Sequence, residues 1–146
     1  MNGTEHFKVV LGGWETSKAD AMAIRYEVFV REQHVPVEIE LDQEDACSIH
    51  AVAYDQQGMA VGTGRLLPNA HIGRMAVCAS HRGRGVGSVL LRALLEAARE
   101  RRYPQVVLSA QVHARAFYAF HGFVADGDTY MEAGIEHITM RRALTG

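Results

Sequence analysis

Ser80-His81-Arg82-Gly83-Arg84-Gly85-Val86-Gly87-Ser88 stands between an apolar run, residues 72–78, and a helical pattern that begins at Val86, and the reading of this stretch decides the fold. Glycines at 83, 85 and 87 crowd one turn. Glycine opens backbone conformations closed to other residues and lets a ligand lie against the main chain. A helix start leaves N–H groups without intrahelical partners and carries a partial positive charge. Such a turn suits a pyrophosphate. It also serves as a plain tight passage from strand to helix, and a lone Gly-x-Gly does not separate the two readings. Spacing narrows the ligand. A dinucleotide fingerprint begun at Gly83 and Gly85 would need glycine where Ser88 stands, and no acid ends the next apolar run at 106–110. A Walker-type loop needs a lysine, and the turn has none.

Downstream, Val86, Leu90, Leu91, Leu94, Leu95 and Ala98 share one helical face, and Arg92, Glu96, Arg99 and Glu100 share the other, so residues 86–101 read as an amphipathic helix docked on a sheet. Residues 106–110 read as a buried strand, 114–120 as a short helix stopped by Gly122, and 123–124 with 135–141 as closing strands. Upstream, the run 72–78 lacks alternation, as expected of a strand covered on both faces. Residues 49–54 and 59–67, joined by Asp55-Gln56-Gln57-Gly58, read as an antiparallel hairpin. A first strand is expected at 7–11, a break at Gly12-Gly13, and Trp14 as a core or interface anchor. Ser17 with Asp20 resembles a capping box, which predicts a helix from there to about Gln33, before Pro36. The fold class is therefore mixed α/β (α+β), with an antiparallel first half.

At 146 residues the chain has the length of one domain, 1–146, able to bury a single core. With 48% apolar and 22% charged residues it reads as globular rather than disordered. A net charge of -2 offers no footprint for nucleic acid, and the run Arg99, Arg101, Arg102 reads as a solvated helix end. No apolar stretch is long enough to span a membrane, residues 1–10 lack the blocks of a signal peptide, and a cytoplasmic location is expected. Cys47 and Cys78 lack redox or metal spacing and read as small hydrophobes. The histidines are scattered without a His-x-x-x-His pair, and the run Asp42 to Asp45 lacks calcium-loop spacing, so no metal site is expected. Neither Ser80 nor Ser88 sits in a Gly-x-Ser-x-Gly frame, which argues against a covalent acyl-enzyme.

Set between strand and helix, Arg82-Gly83-Arg84-Gly85-Val86-Gly87 resembles the coenzyme A signature of the GNAT superfamily of N-acetyltransferases. The pieces Arg25-x-x-Val28-Phe29-Val30-x-Glu32-Gln33, Gly73-Arg74-Met75-Ala76-Val77, Ala110-Gln111 with Phe117-Tyr118, His121-Gly122-Phe123 and Ala133-Gly134-Ile135-x-His137 resemble its small ElaA-like branch and span most of the chain. The resemblance implies the GNAT fold: a mostly antiparallel central sheet with a splayed parallel strand pair, here 72–78 and 106–110, and flanking helices. It implies acetyl-CoA as cosubstrate, with main-chain groups of Met75, Ala76 and Val77 along the pantetheine arm and polarising the thioester carbonyl. Arg82, Gly83, Arg84, Gly85, Val86, Gly87 and Ser88 would hold the pyrophosphate, and Gln111, Phe117 and Tyr118 would complete the site.

The reaction so implied is direct attack of an amine on the thioester in a ternary complex. Tyr118 is expected to protonate the departing thiolate, although its residue type also suits a core aromatic beside Phe117 and Phe120. For the base, Glu32, Glu38, Glu40, Asp42, Glu44 and Asp45 form an acidic segment near His50. The resemblance singles out Glu32, Asp42, Asp45 and His50, while His50 equally suits a structural hydrogen bond and the acids a solvated loop. Arg65 and Arg74 read either as anion ligands or as partners of those acids in a buried network. A noncatalytic acyl-CoA binding module or sensor is the alternative. It would keep the glycine turn and dispense with Tyr118. Small amines, aminosugars, amino acids and protein termini stay open as acceptors, and the resemblance implies a homodimer, formed through the C-terminal strand.

Overall fold

The computed structural model describes residues 6–37 and 42–144. In chain order the elements are β1 (Lys8–Gly12), α1 (Trp14–Arg25), a π-helical continuation (Tyr26–Glu32), a 3-10 turn (Gln43–Cys47), β2 (Ile49–Tyr54), β3 (Ala60–Leu66) and β4 (His71–Val77). They are followed by a 3-10 turn (Ala79–His81), α2 (Val86–Glu100), β5 (Gln105–Gln111), a 3-10 turn (Val112–Ala114), α3 (Arg115–Phe120), β6 (Val124–Ala125), β7 (Tyr130–Glu132) and β8 (Ile135–Ala143). The strands form one sheet in the order β1-β2-β3-β4-β5-β8-β6, with β7 also on β8. All pairings are antiparallel except β4 with β5, which meet only at His71↔Val107 and Ile72↔Leu108 and then part.

The periodicity of α2 explains one layer. Val86, Leu90, Leu91, Leu94 and Leu95 are all buried and join Ala51, Ala53, Val106, Leu108 and Ala110 in the main core. Each such aliphatic side chain contributes roughly 1.5–3 kcal/mol through burial. On the opposite sheet face, Ile24 and Val28 pack on Val52 and Ala76. α2 approaches the sheet so closely that a Cβ at Gly62 would lie 2.7 Å from Val86 Cγ1 and 2.9 Å from Leu90 Cδ1. Gly62→Val should therefore lower stability by roughly 1–3 kcal/mol through overpacking. Urea melts would check it, and an unchanged midpoint would contradict this packing.

β4 departs from the sequence reading. Only Ile72 and Ala76 along it are buried, not the whole run, because its middle faces a cavity. Between Thr63↔Ala76 and Arg65↔Gly73, β4 carries one residue more than β3, a bulge. Arg74 sits there with φ 50. The bulge also switches faces: Ile72 belongs to the α2 core and Ala76 to the α1 core, although their even spacing would otherwise keep them on one side.

Other differences have local causes. Helix α1 begins at Trp14, before the expected capping box: Gly13 is its N-cap, Thr16 Oγ1 donates to the Gly13 carbonyl at 3.1 Å, and Ser17 is buried inside the helix. Strand β7 was not legible, and it turns into β8 through Ala133 and Gly134, both at positive φ (53 and 77), a hairpin geometry usually marked by Asn-Gly. The C-terminal strand is not an edge, since β8 pairs with β5 on one side and with β6 and β7 on the other. No described helix is long and apolar enough to cross a membrane.

Candidate active site

Where β4 and β5 part, a cavity of about 630 Å³ opens. Four sets of residues wall it. Gly73, Arg74, Met75, Ala76 and Val77 come from the bulged strand, and Val28, Phe29, Glu32 and Gln33 from the end of the first helix. The π winding there, with Gln33 N–H reaching the Val28 carbonyl five residues back at 3.0 Å, suits this shared face, since i, i+1, i+4 and i+5 come together when the turn widens. Ser109, Gln111, His113 and Tyr118 form the third wall, and Glu132, Ala133, Ile135 and His137 the fourth.

The glycine turn lies at the start of α2. Gly85 is the N-cap residue at φ 90, a left-handed conformation that strains any side chain, and it offers no capping side chain. The helix ladder begins with Val89 N–H on the Gly85 carbonyl at 3.1 Å, which leaves the amides of 86–88 without intrahelical partners. Val86 contributes only its backbone, because its side chain is buried in the core. These features fit a phosphate group, which would supply the missing cap. Arg82 lines the cavity rather than facing solvent freely. Its Nε donates to the Val77 carbonyl at 2.9 Å, and both its terminal nitrogens donate to Glu32 at 2.5 and 2.6 Å.

Tyr118 and the glycine turn are brought together by contacts the sequence hides. Phe117 packs against Gly87, where a Cβ would lie 3.2 Å from the ring, and Ser88 Oγ lies 2.9 Å from His121 Nε2. Tyr118 itself is 8% exposed, lines the cavity, and has its ring edge-on to Phe117 and Phe123. Burial pushes its phenol up to about 12, so it stays protonated at neutral pH. Phe120, by contrast, is 84% exposed and no part of that core. Gln111 exchanges reciprocal amide hydrogen bonds of 2.9 and 3.1 Å with Gln33, linking β5 to the end of the first helix.

The acidic segment is placed differently from what was expected. Glu38 and Glu40 lie outside the described residues. Glu32 lines the cavity, but its carboxyl is held below the usual range by hydrogen bonds from Arg82. Asp42 is not among the cavity residues. Arg65 donates to both its oxygens at 2.7 and 2.8 Å and Arg74 to Oδ2 at 3.1 Å, and hydrogen bonds from Arg65 hold it at about 2. Asp45 is buried between Arg25, bidentate at 2.8 and 3.0 Å, and Arg65 at 2.8 Å. Burial alone would raise its pKa, and the two guanidiniums overrule that and lower it.

His50 is likewise absent from the cavity. It is 1% exposed, its Nε2 donates to the Asp45 carbonyl at 2.9 Å, and its ring packs at 4.7 Å on Trp14, over which Arg25 also sits. Desolvation lowers its pKa. Of the residues expected to supply a base, His50 and Asp42 thus lie in a polar layer beside α1 and not among the cavity-lining residues, whereas Glu32 lines the cavity. Arg65 and Arg74 belong to the same layer, as partners of the acids. The cavity residues that sequence reasoning did not single out as site residues include Gln33, Ser109, His113, Glu132 and His137. For His137 the available signal was its place two residues into β8, after the Ala133-Gly134 turn.

Among the described residues no cluster of three or more His, Cys, Asp or Glu side chains could hold a metal. Comparison with known proteins agrees with the geometry. The profile of the acetyltransferase (GNAT) domain matches residues 15–144. The uncharacterized N-acetyltransferase YjcF of Bacillus subtilis is 38% identical over 139 residues, covering 92% of this chain and 99% of YjcF. An acyl-CoA N-acyltransferase from Pseudomonas aeruginosa superposes with a TM-score of 0.82 at 34% identity, covering 94% of this chain and all (100%) of that one. Escherichia coli ElaA superposes with a TM-score of 0.81 at 28% identity, over 92% and 99% of the two chains.

Proposed function

We propose, from the premise that the chain belongs to the acetyltransferase (GNAT) domain family, that it moves the acetyl group of acetyl-CoA directly onto an amine, acting as a single domain of residues 1–146. One observation carries this reading: an uncapped helix start with Gly85 at φ 90 follows directly on Arg82, which lines the cavity between β4 and β5 together with the buried Tyr118. The amides of 86–88 and the α2 dipole would hold the pyrophosphate. Backbone groups of the bulged strand at Met75 to Val77 would receive the thioester carbonyl and stabilise the negative charge that develops on its oxygen. Tyr118, kept neutral by burial, would give its proton to the departing thiolate. Attack within a ternary complex needs no nucleophilic side chain.

The first test is binding. Acetyl-CoA at 100 times its dissociation constant should add roughly 2.7 kcal/mol to stability, visible as a rise in Tm. Gly85→Val would force a β-branched side chain into a left-handed backbone, at a cost of about 1–2 kcal/mol, and so raise the acetyl-CoA Kd about tenfold in calorimetry. Equal affinity of wild type and variant would remove the cradle. Free-thiol release on addition of an amine then separates transfer from mere binding.

A further inference from the structure

The acids expected to activate the acceptor are committed to arginines, yet one cavity group has the attributes of a base. His137, at the start of β8, is 6% exposed and lines the cavity. Its Nδ1 lies 2.7 Å from the Ile135 carbonyl oxygen. A carbonyl only accepts, so Nδ1 carries the hydrogen and the neutral ring keeps its lone pair on Nε2. No hydrogen bond to Nε2 is found among the described residues. Glu132 Oε2 lies 3.9 Å from it, beyond hydrogen-bond range.

The ring is also fixed in direction. Tyr130 stacks on it with centroids 6.1 Å apart and planes at 21°, and the Tyr130 hydroxyl is hydrogen-bonded to Ser109 on β5. Gln111 stands opposite on β5. His50, outside the cavity, gives its Nε2 to the Asp45 carbonyl inside the polar layer. His137, which lines the cavity, spends Nδ1 on a carbonyl and keeps Nε2 next to a carboxylate that is half exposed.

We infer that His137 is the catalytic base that deprotonates the acceptor, and that the acceptor class is a primary alkylamine arriving as its ammonium ion. This rests on the acyl-transfer reading above. Glu32 is neutralised by Arg82, but Glu132, half exposed at the cavity wall beside His137, offers a carboxylate to an incoming cation. Nε2 takes one proton from the ammonium group, and the neutral amine forms the C–N bond at the thioester carbonyl carbon. The C–S bond then breaks, and the thiolate takes the Tyr118 proton. The proton shed by the new amide nitrogen restores Tyr118, and the imidazolium returns its own proton to solvent past Glu132. No other reactant is required.

The test uses the full chain with acetyl-CoA and two probes, ethylamine and hydroxylamine. Ethylamine is almost wholly protonated near neutral pH, whereas hydroxylamine is largely neutral there and has little need of a base. H137Q should cut thiol release with ethylamine by about 10²-fold or more. With hydroxylamine the loss should stay within a few-fold, and the acetyl-CoA Kd should be unchanged. Equal losses with both amines, or none with ethylamine, overturn the assignment of His137 while leaving acyl transfer intact. A wild type that binds acetyl-CoA but releases no thiol with either amine overturns the transfer reading and this proposal together. Nitrogen-15 NMR of the wild-type imidazoles gives an answer independent of the variant's folding: an Nδ1–H tautomer is expected for His137, and an Nε2–H tautomer overturns the proposal.

Discussion

Replacing Tyr118 by phenylalanine should lower turnover by about 10²–10⁴-fold, the range typical of a lost general acid, while the acetyl-CoA Kd moves little. The substitution removes one oxygen and keeps the ring that packs edge-on to Phe117 and Phe123, so the core and the contact of Phe117 with Gly87 survive. What disappears is a proton source held neutral by burial, with its pKa pushed up to about 12. Because that value lies far above neutral, Tyr118 should impose no alkaline fall in rate until the pH nears it. Steady-state kinetics with calorimetry of the same protein separates the two effects. A Tyr118→Phe protein with wild-type turnover removes the phenol from the chemistry, and one that no longer binds acetyl-CoA makes it a packing residue.

Asp45→Asn should be the most damaging single change to stability. Asp45 is buried and receives Arg25 and Arg65, which are themselves 1% and 4% exposed. Taking the charge from the middle of this layer removes the carboxylate that Arg25 and Arg65 share in the interior. Breaking a buried pair in this way costs roughly 3–5 kcal/mol. The same linkage predicts an acid sensitivity. The Asp45 and Asp42 pKa values are lowered in the fold, Asp42 to about 2, so the stability they contribute is complete above the ordinary carboxylate range. It is lost as pH falls through the folded values. His50 acts in the same direction at higher pH: its pKa is lowered, so the unfolded chain takes up that proton first and stability declines as pH drops below about 6.5. Thermal melts across this range would show a falling Tm for the wild type and a shallower fall, from a lower starting point, for Asp45→Asn. Identical melts at neutral pH would contradict the energetic role given to the layer.

The sequence made the frame legible where a single physical signal dominates. Helix α2 was readable because Leu90, Leu91, Leu94 and Leu95 repeat with the helical period, and the β2–β3 hairpin because Asp55 to Gly58 is turn chemistry between apolar runs. The start of α1 was misread because its N-cap is a glycine without a capping side chain, whereas Ser17 and Asp20 imitate a capping box from inside the helix. The bulge of β4 leaves no mark, since its left-handed residue is Arg74 and not the glycine or asparagine that usually fills such a position. In the site, the glycine turn stood out as a local pattern. The division of the acids did not: which carboxylate meets which arginine depends on strand register, such as His50↔Arg65, and register is not written in spacing. His137 falls within a family-like segment but did not stand out as a site residue for the same reason, because its tautomer is set by a carbonyl two residues away and its surroundings by β7, a strand of three exposed residues without alternation.

Among the described residues the two halves of the sheet pair at two positions on the β4–β5 seam, and α2 packs on the strands of the first half, β1 to β4. Mechanically the molecule is a pair of plates riveted at one corner. Tilting one plate against the other changes the width of the aperture without moving any strand out of step with its partner. Substitutions at the seam residues His71, Ile72, Val107 and Leu108 should therefore alter the width of the aperture from a distance.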